Sequence, residues 1–209
     1  PFDIAAGVSN TLTFNRQVAG YTVTGGPITV SEAVTTGTFT VVLNVQPPTN
    51  VVISVTASDL TEATAGPALL TFTNANWATP QTVTVTGVND AIVDGSVASI
   101  VTMSVVDASS NNFFDPLGDQ TVNVTTTDND TATVTIANTT NGNEAGAVSG
   151  TLTATQTAVA AAATVINLTY GGTAANPADY GRPATVTIPA GSLTGTVTLT
   201  VVDDSIVEG

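Results

Sequence analysis

The sequence predicts an all-β chain of tandem antiparallel β-sandwiches, and three observations carry that prediction. Thr alternates with Val, Ile and Leu over short stretches, the period of a half-buried strand written in β-branched residues. Gly, Pro, Asn and Asp interrupt those stretches at short intervals, as turns do between the strands of a sandwich. A phrase also recurs 114 positions on: Val88-Asn89-Asp90-Ala91-Ile92-Val93-Asp94-Gly95 returns as Val202-Asp203-Asp204-Ser205-Ile206-Val207-Glu208-Gly209. Each copy follows an alternating stretch, Gln81-Thr82-Val83-Thr84-Val85-Thr86 and Gly195-Thr196-Val197-Thr198-Leu199-Thr200. A strand running into an acidic turn, used twice, marks two copies of one module.

The elements follow in order. Alternation begins at Thr11-Leu12-Thr13-Phe14 and Tyr21-Thr22-Val23-Thr24, and Gly25-Gly26-Pro27 closes that segment. Strands are expected at 28–31, 37–45, 51–57, 68–73, 80–88, 96–106 and 120–127. Pro47-Pro48-Thr49-Asn50, Gly66-Pro67, Asp94-Gly95 and a longer 108–119 loop separate them. Seven short strands at this spacing read as an immunoglobulin-like sandwich. A second set is expected at 132–137, 148–156, 164–170, 184–188 and 195–202. Ala158–Ala163 has helical propensity but no polar/apolar period, and a loop or strand end is the preferred reading.

Three segments result: 1–26, an N-terminal strand segment; 27–130, the first sandwich; and 131–209, a second without counterparts of the first module's last two strands. Two explanations fit that shortfall. The chain is a piece of a longer repeat array, or residues 1–26 supply strands to a neighbouring copy, which propagates head to tail.

Composition excludes several functions. The 209 residues suffice for about two domains at roughly 100–150 residues each. With no Cys and no His, disulfides, thiolate or imidazole metal sites and the Ser-His-Asp arrangement are out of reach. Arg16 and Arg182 are the only basic residues against sixteen acids, a formal charge of −14 that repels nucleic acid and anionic membranes and attracts cations. No run of 18 apolar residues offers a membrane span, and residues 1–20 do not read as a signal peptide. An enzyme is not expected, since neither a general base nor a nucleophile stands out.

The acids are placed by strand parity. Successive antiparallel strands run up and down, so the ends of the first, third, fifth and seventh share one pole. Glu32, Asp59, Asp90, Asp94, Asp128 and Asp130 follow those strands. In the second module Glu144, Asp179, Asp203, Asp204 and Glu208 repeat the pattern, so eleven of the sixteen acids fall at two poles. Carboxylates crowded this way repel by about 1 kcal/mol per pair at 4 Å even in bulk water. Oxygen-only ligands on flexible loops select a hard cation, and Ca²⁺ better than Mg²⁺. Turn preference for Asp also seeds acids at strand ends, and Asp107, Asp115 and Asp119 sit at the other pole.

The second module resembles a Calx-beta domain. The resemblance lies in Glu144-Ala145-Gly146, Tyr170-Gly171-Gly172-Thr173-Ala174, Asp179-Tyr180, Val186-Thr187-Ile188-Pro189-Ala190-Gly191 and the 202–209 phrase. It implies that Glu144, Asp179, Asp203, Asp204 and Glu208 bind Ca²⁺, and that the linker Asp128-Asn129-Asp130 joins the first module's cluster. The first module is more distant, with Ser58-Asp59 and Asn89-Asp90 where the family has Asp-Tyr and Asp-Asp; its 70–77 and 80–85 stretches resemble a related immunoglobulin-like repeat of bacterial surface and adhesin proteins.

The expectation is a Ca²⁺-stiffened structural repeat segment of an extracellular bacterial surface protein, a stalk or adhesin shaft at the cell surface. Its partners would be neighbouring repeats or copies of the same chain, with no nucleic acid and no membrane insertion. One alternative is a self-assembling filament subunit joined by donor-strand exchange through residues 1–26; another is a module that binds a surface glycan or a protein ligand. Trp77 is expected to pack on the core, and Phe113-Phe114 to plug the pole opposite the acids or mark a partner contact.

Overall fold

A computed structural model describes residues 18–171 and 179–203. The fold is all-β and immunoglobulin-like; the one helical turn among the described residues is a 3-10 turn at Asp107–Ser109. The first module stacks two sheets. One runs in the order β1 (Tyr21–Thr24), β3 (Thr36–Leu43), β7 (Gln81–Gly87), β5 (Ala63–Gly66). The other runs β2 (Ile28–Ser31), β10 (Gln120–Thr127), β9 (Val97–Val105), β4 (Val51–Ala57), β6 (Leu69–Phe72). Pairing is antiparallel except between β2 and β10, which run parallel.

Alternation builds the core. Phe39, Val41 and Leu43 of β3, Val83 and Val85 of β7, Val51, Ile53 and Val55 of β4, and Val101 and Met103 of β9 point inward, and the half-buried residues between them, Thr40, Val42, Thr84, Val52, Ser54 and Thr102, point out. Phe72, Leu70, Val122, Val124 and Phe114 complete the cluster, with Trp77 packed partly buried against it. β5 lies outside the seven expected strands; Ala63-Thr64-Ala65-Gly66 is too small in side chain to announce itself, and its Ala63↔Gly87 register with β7 holds it.

The first module begins earlier than 27. Gly25, at φ +114° with a would-be Cβ 3.1 Å from the Phe39 Cα, lets the chain leave β1 in one sheet and enter β2 in the other. β1 pairs with β3 through Tyr21↔Leu43, and the buried Tyr21 hydroxyl donates to the Met103 carbonyl at 2.8 Å. Tyr21–Thr24 is therefore engaged within its own module, and of the expected donor segment residues 1–17 lie outside the described residues.

The second module is slighter. β11 (Val134–Thr140), β12 (Gly150–Gln156) and β16 (Thr194–Leu199) form one sheet, and β14 (Thr164–Asn167) pairs with β15 (Thr185–Ile188). Its buried cluster is Ala154, Val186 and Ile188, backed by Ile166, Leu168 and Val197. Every residue of β11 is exposed. The modules are tied at their junction. β8 (Ile92–Val93) pairs in parallel with β13 (Val159–Ala160), and the Ala161 N–H donates to the Val93 carbonyl at 3.1 Å. The 158–163 stretch is thus a strand end, as its lack of period implied.

Adjacent residues of β6 test the register. Leu70 is buried and Leu69 is 56% exposed. Leu70→Ala should cost about 2–5 kcal/mol in urea unfolding and Leu69→Ala about 0.5 kcal/mol or less; equal losses would mean the strand faces are misassigned.

Candidate metal centre

The first module's acids meet where it adjoins the second. Glu32 follows β2, and its N–H donates to the Thr127 carbonyl at 3.1 Å, fixing it beside the end of β10. Asp90 and Asp94 flank β8, Asp128 and Asp130 lie on the linker after β10, and Glu62 enters from the turn between β4 and β5. Carboxylate oxygens of Glu32, Asp90 and Asp130 lie within 4.8 Å of one another. So do those of Glu32, Asp94 and Asp128, and those of Glu62, Asp90 and Asp94. Gly87 permits this convergence: a Cβ there would sit 2.2 Å from the Ser31 carbonyl oxygen, so only glycine lets β7 press against the end of β2 one residue before Glu32. Gly95, at φ +80°, turns the chain after Asp94.

Backbone donors satisfy part of the cluster. The N–H groups of Asp94 and Gly95 both donate to Asp128 Oδ2 at 2.9 Å, and that of Asp130 donates to Asp128 Oδ1 at 2.6 Å. The Ile92 N–H donates to Asp90 Oδ1 at 2.8 Å. Other oxygens are left over. Glu32 and Glu62 are 1% and 5% exposed. Glu62 Oε2, Asp94 Oδ1 and Asp130 Oδ2 are buried with no hydrogen-bond partner among the described residues. Buried polar atoms are nearly always satisfied, so these three point to a ligand of the carboxylates. No basic side chain serves: Arg182, the one basic residue described, stacks 5.0 Å from the Tyr180 ring centroid in the second module and donates from Nε to the Tyr180 hydroxyl.

Protonation follows the same geometry. Burial pushes Glu32 upward, and the charges of Asp128, Asp90 and Asp94 add to it against the Asn129 N–H. Burial also raises Glu62, helped by Asp94, Asp59, Glu32 and Asp90, and it raises Asp94, helped by Asp128 and Asp90. Asp128 goes the other way, held down first by the Gly95 N–H and then by that of Asp130.

Of the residues singled out in the sequence, Glu32, Asp90, Asp94, Asp128 and Asp130 come together. Asp59 does not join these groups: its Oδ1 accepts from the Thr61 N–H and hydroxyl, at 3.0 and 2.6 Å, closing a local turn that also lowers its pKa. That turn presents Glu62 instead, a residue the sequence reading passed over. The Asp-x-Thr turn at Asp59–Thr61 was the available signal, since such a turn redirects the next side chain. In the second module Glu144 and Asp179 line one cleft of about 300 Å³ with Tyr180, Leu199 and Val201, and Glu144 Oε1 is buried without a hydrogen-bond partner among the described residues. Asp203 is exposed, and Asp204 and Glu208 lie outside the described residues.

No family model matches the chain, and no curated protein matches it. Among solved structures it is similar to the YadV chaperone, at 9% identity over 87% of this chain and 84% of that one, with a TM-score of 0.39. It is similar to the E. coli chaperone DraB, at 10% identity over 90% and 89% of the two chains, TM-score 0.39. It is also similar to CBD12 from CALX1.2, at 15% identity over 86% of this chain and 73% of that one, TM-score 0.35. At these scores the likenesses carry no argument about function.

The pKa directions set the sign of a pH effect in metal-free buffer. Glu32, Glu62 and Asp94 hold protons more tightly folded than unfolded, so they contribute stability below the unfolded value near 4 and lose it as pH rises through their raised folded values. Asp59 and Asp128 act oppositely, their contribution being lost as pH falls through their lowered values. With chelator present, the melting temperature should rise as pH falls from neutrality toward the ordinary carboxylate range, then drop at stronger acid. A melting temperature that falls throughout would show that the cluster is not under electrostatic strain.

Proposed function

We propose that this chain is a Ca²⁺-stiffened structural segment of an extracellular surface protein, a stalk or shaft whose modules are locked end to end by cations at their joints. The observation that carries the reading is the convergence of Glu32, Glu62, Asp90, Asp94, Asp128 and Asp130 at the junction, with buried carboxylate oxygens unsatisfied among the described residues. The donor set is oxygen only, which suits a hard cation. Calcium sits about 2.3–2.6 Å from its oxygens, so ligands on opposite sides of one ion lie roughly 5 Å apart, the scale of these triplets. Glu32, Asp90 and Asp94 each belong to two triplets, which suits carboxylates bridging neighbouring ions.

The mechanism is mechanical. Asp128 and Asp130 are on the linker, Asp90 and Asp94 flank the strand that pairs with the second module, and Glu32 and Glu62 belong to the first module's body. An ion bound by all three groups cross-links body, bridge and linker, and bending between modules then requires breaking ligand bonds. Extracellular sites of this type have dissociation constants of about 0.1–1 mM, and calcium at about ten times the constant adds about 1.4 kcal/mol of stability. The melting temperature should therefore rise in millimolar Ca²⁺ and return in chelator, with Asp94→Asn or Glu62→Gln removing most of the gain. A melt indifferent to chelator would sink the reading.

A second reading, a filament subunit completed by strands from a neighbouring copy, is favoured by the second module. Its buried cluster is small, β11 is exposed throughout, and Val165 is 60% exposed. Open strand edges of this kind recruit a further strand. Deleting residues 1–17 should then abolish polymer seen by electron microscopy; polymer that survives the deletion excludes that segment as the donor.

A further inference from the structure

The pole of the first module opposite its acids carries an apolar groove of about 480 Å³, bordered by Val18, Val45, Pro48, Phe113 and Leu117. Phe114 is buried as the plug of that pole, but Phe113 is 72% and Val18 70% exposed. The joint between the two modules indicates what such a surface takes. There, β8 of the first module's repeated phrase lies in parallel on β13, in the loop that follows β12. That loop, 157–163, begins with the Thr157 N–H donating to the carbonyl of Thr133 on the entering chain at 3.1 Å.

The first module has the same frame. Its corresponding loop, 44–50, follows β3, and the Asn44 N–H donates to the carbonyl of Gly20 on its own entering chain at 2.9 Å. Both loops span seven residues, counted from the strand ends at Leu43 and Val51 and at Gln156 and Thr164. Val45 and Pro48 of the 44–50 loop border the groove. The phrase that docks at the joint, with Ile92-Val93 at its centre, recurs as the phrase with Ile206-Val207 at its centre.

We propose that this groove docks the Ser205-Ile206-Val207 segment of a second copy of the chain, whose sequence repeats the phrase around Ile92-Val93, as the 157–163 loop docks Ile92-Val93. The groove and the segment are different surfaces, so the contact is heterologous and, where it does not close, propagates head to tail. It repeats between copies the joint already present within one. Phe113 supplies the aromatic anchor that the small-residue, Ala-rich 157–163 loop lacks.

The test uses the 209-residue chain with residues 1–17 retained in every sample. Sedimentation velocity over a concentration series should show association that weakens on the order of tenfold or more in Phe113→Asp and likewise in Val207→Asp. Phe113 is exposed, so that variant should keep the wild-type melt. Each variant retains one of the two surfaces intact, so the two mixed should form heterodimers and stop there, whereas each alone stays monomeric. A wild-type chain that remains monomeric overturns the proposal. So does association untouched by either variant, which would assign it to strand exchange or another surface. Melting with and without calcium on the same samples reads the cation separately, so failure of one proposal leaves the other standing.

Discussion

Six carboxylates crowd one joint with no basic side chain among the described residues to meet them, and that imbalance is the constraint on which the joint depends. Like charges at a few ångströms destabilise a folded state unless protons, backbone dipoles or a bound cation offset them. Asp128 takes the backbone route, with three N–H groups aimed at its two oxygens. Glu32, Glu62 and Asp94 do not have enough donors for it, and burial raises them instead. A site in which one carboxylate is held down by backbone donors and others are raised by burial and like charge is one where a bound cation would offset the strain.

The sandwich positions these groups through strand direction more than through local loop structure. β2 and β10 run parallel and β4 shares their direction, so their C-terminal ends open at one pole and deliver Glu32, Asp128 and Asp59 there. The close approach of Gly87 to Ser31 draws the end of the facing sheet against that pole, and the loop carrying Asp90 and Asp94 comes with it. The packed core of Phe39, Phe72, Ile53 and Met103 keeps the strand ends in place, which is what gives each carboxylate a fixed neighbour.

Period-2 alternation made the long strands legible, because one-sided burial writes directly into the order of Thr and Val; the observed bounds of β2, β4 and β10 match the expected ones residue for residue. Strand parity then brought five of the six junction carboxylates to one pole from sequence alone. What stayed hidden was local. Glu62 is delivered by an Asp59–Thr61 side-chain turn, and β5 behind it carries too little apolar volume to register as a strand. β8 is two residues long and its partner is more than sixty positions away, so no window of sequence contains the pair. The expected start of the module at 27 failed for a related reason: Gly25-Gly26-Pro27 reads as an ending, yet the chain uses it to change sheets within one module.

The two modules differ in what holds them. The first has an interlocked core from two sheets, and its junction acids are a local burden on an otherwise well-buried domain. The second buries only Ala154, Val186 and Ile188 fully among its described apolar residues, with Ala160 at its edge in β13. Small apolar burial leaves little to set against chain entropy. The β8–β13 pairing and the Thr133–Thr157 hydrogen bond add to what those described residues bury. An ion bound as proposed would reach both ties at once, since Asp94 adjoins β8 and Asp130 precedes Thr133 by three positions. In the proposed reading, ion occupancy should thus act on the second module as well as on the first, through the β8–β13 pairing and the linker.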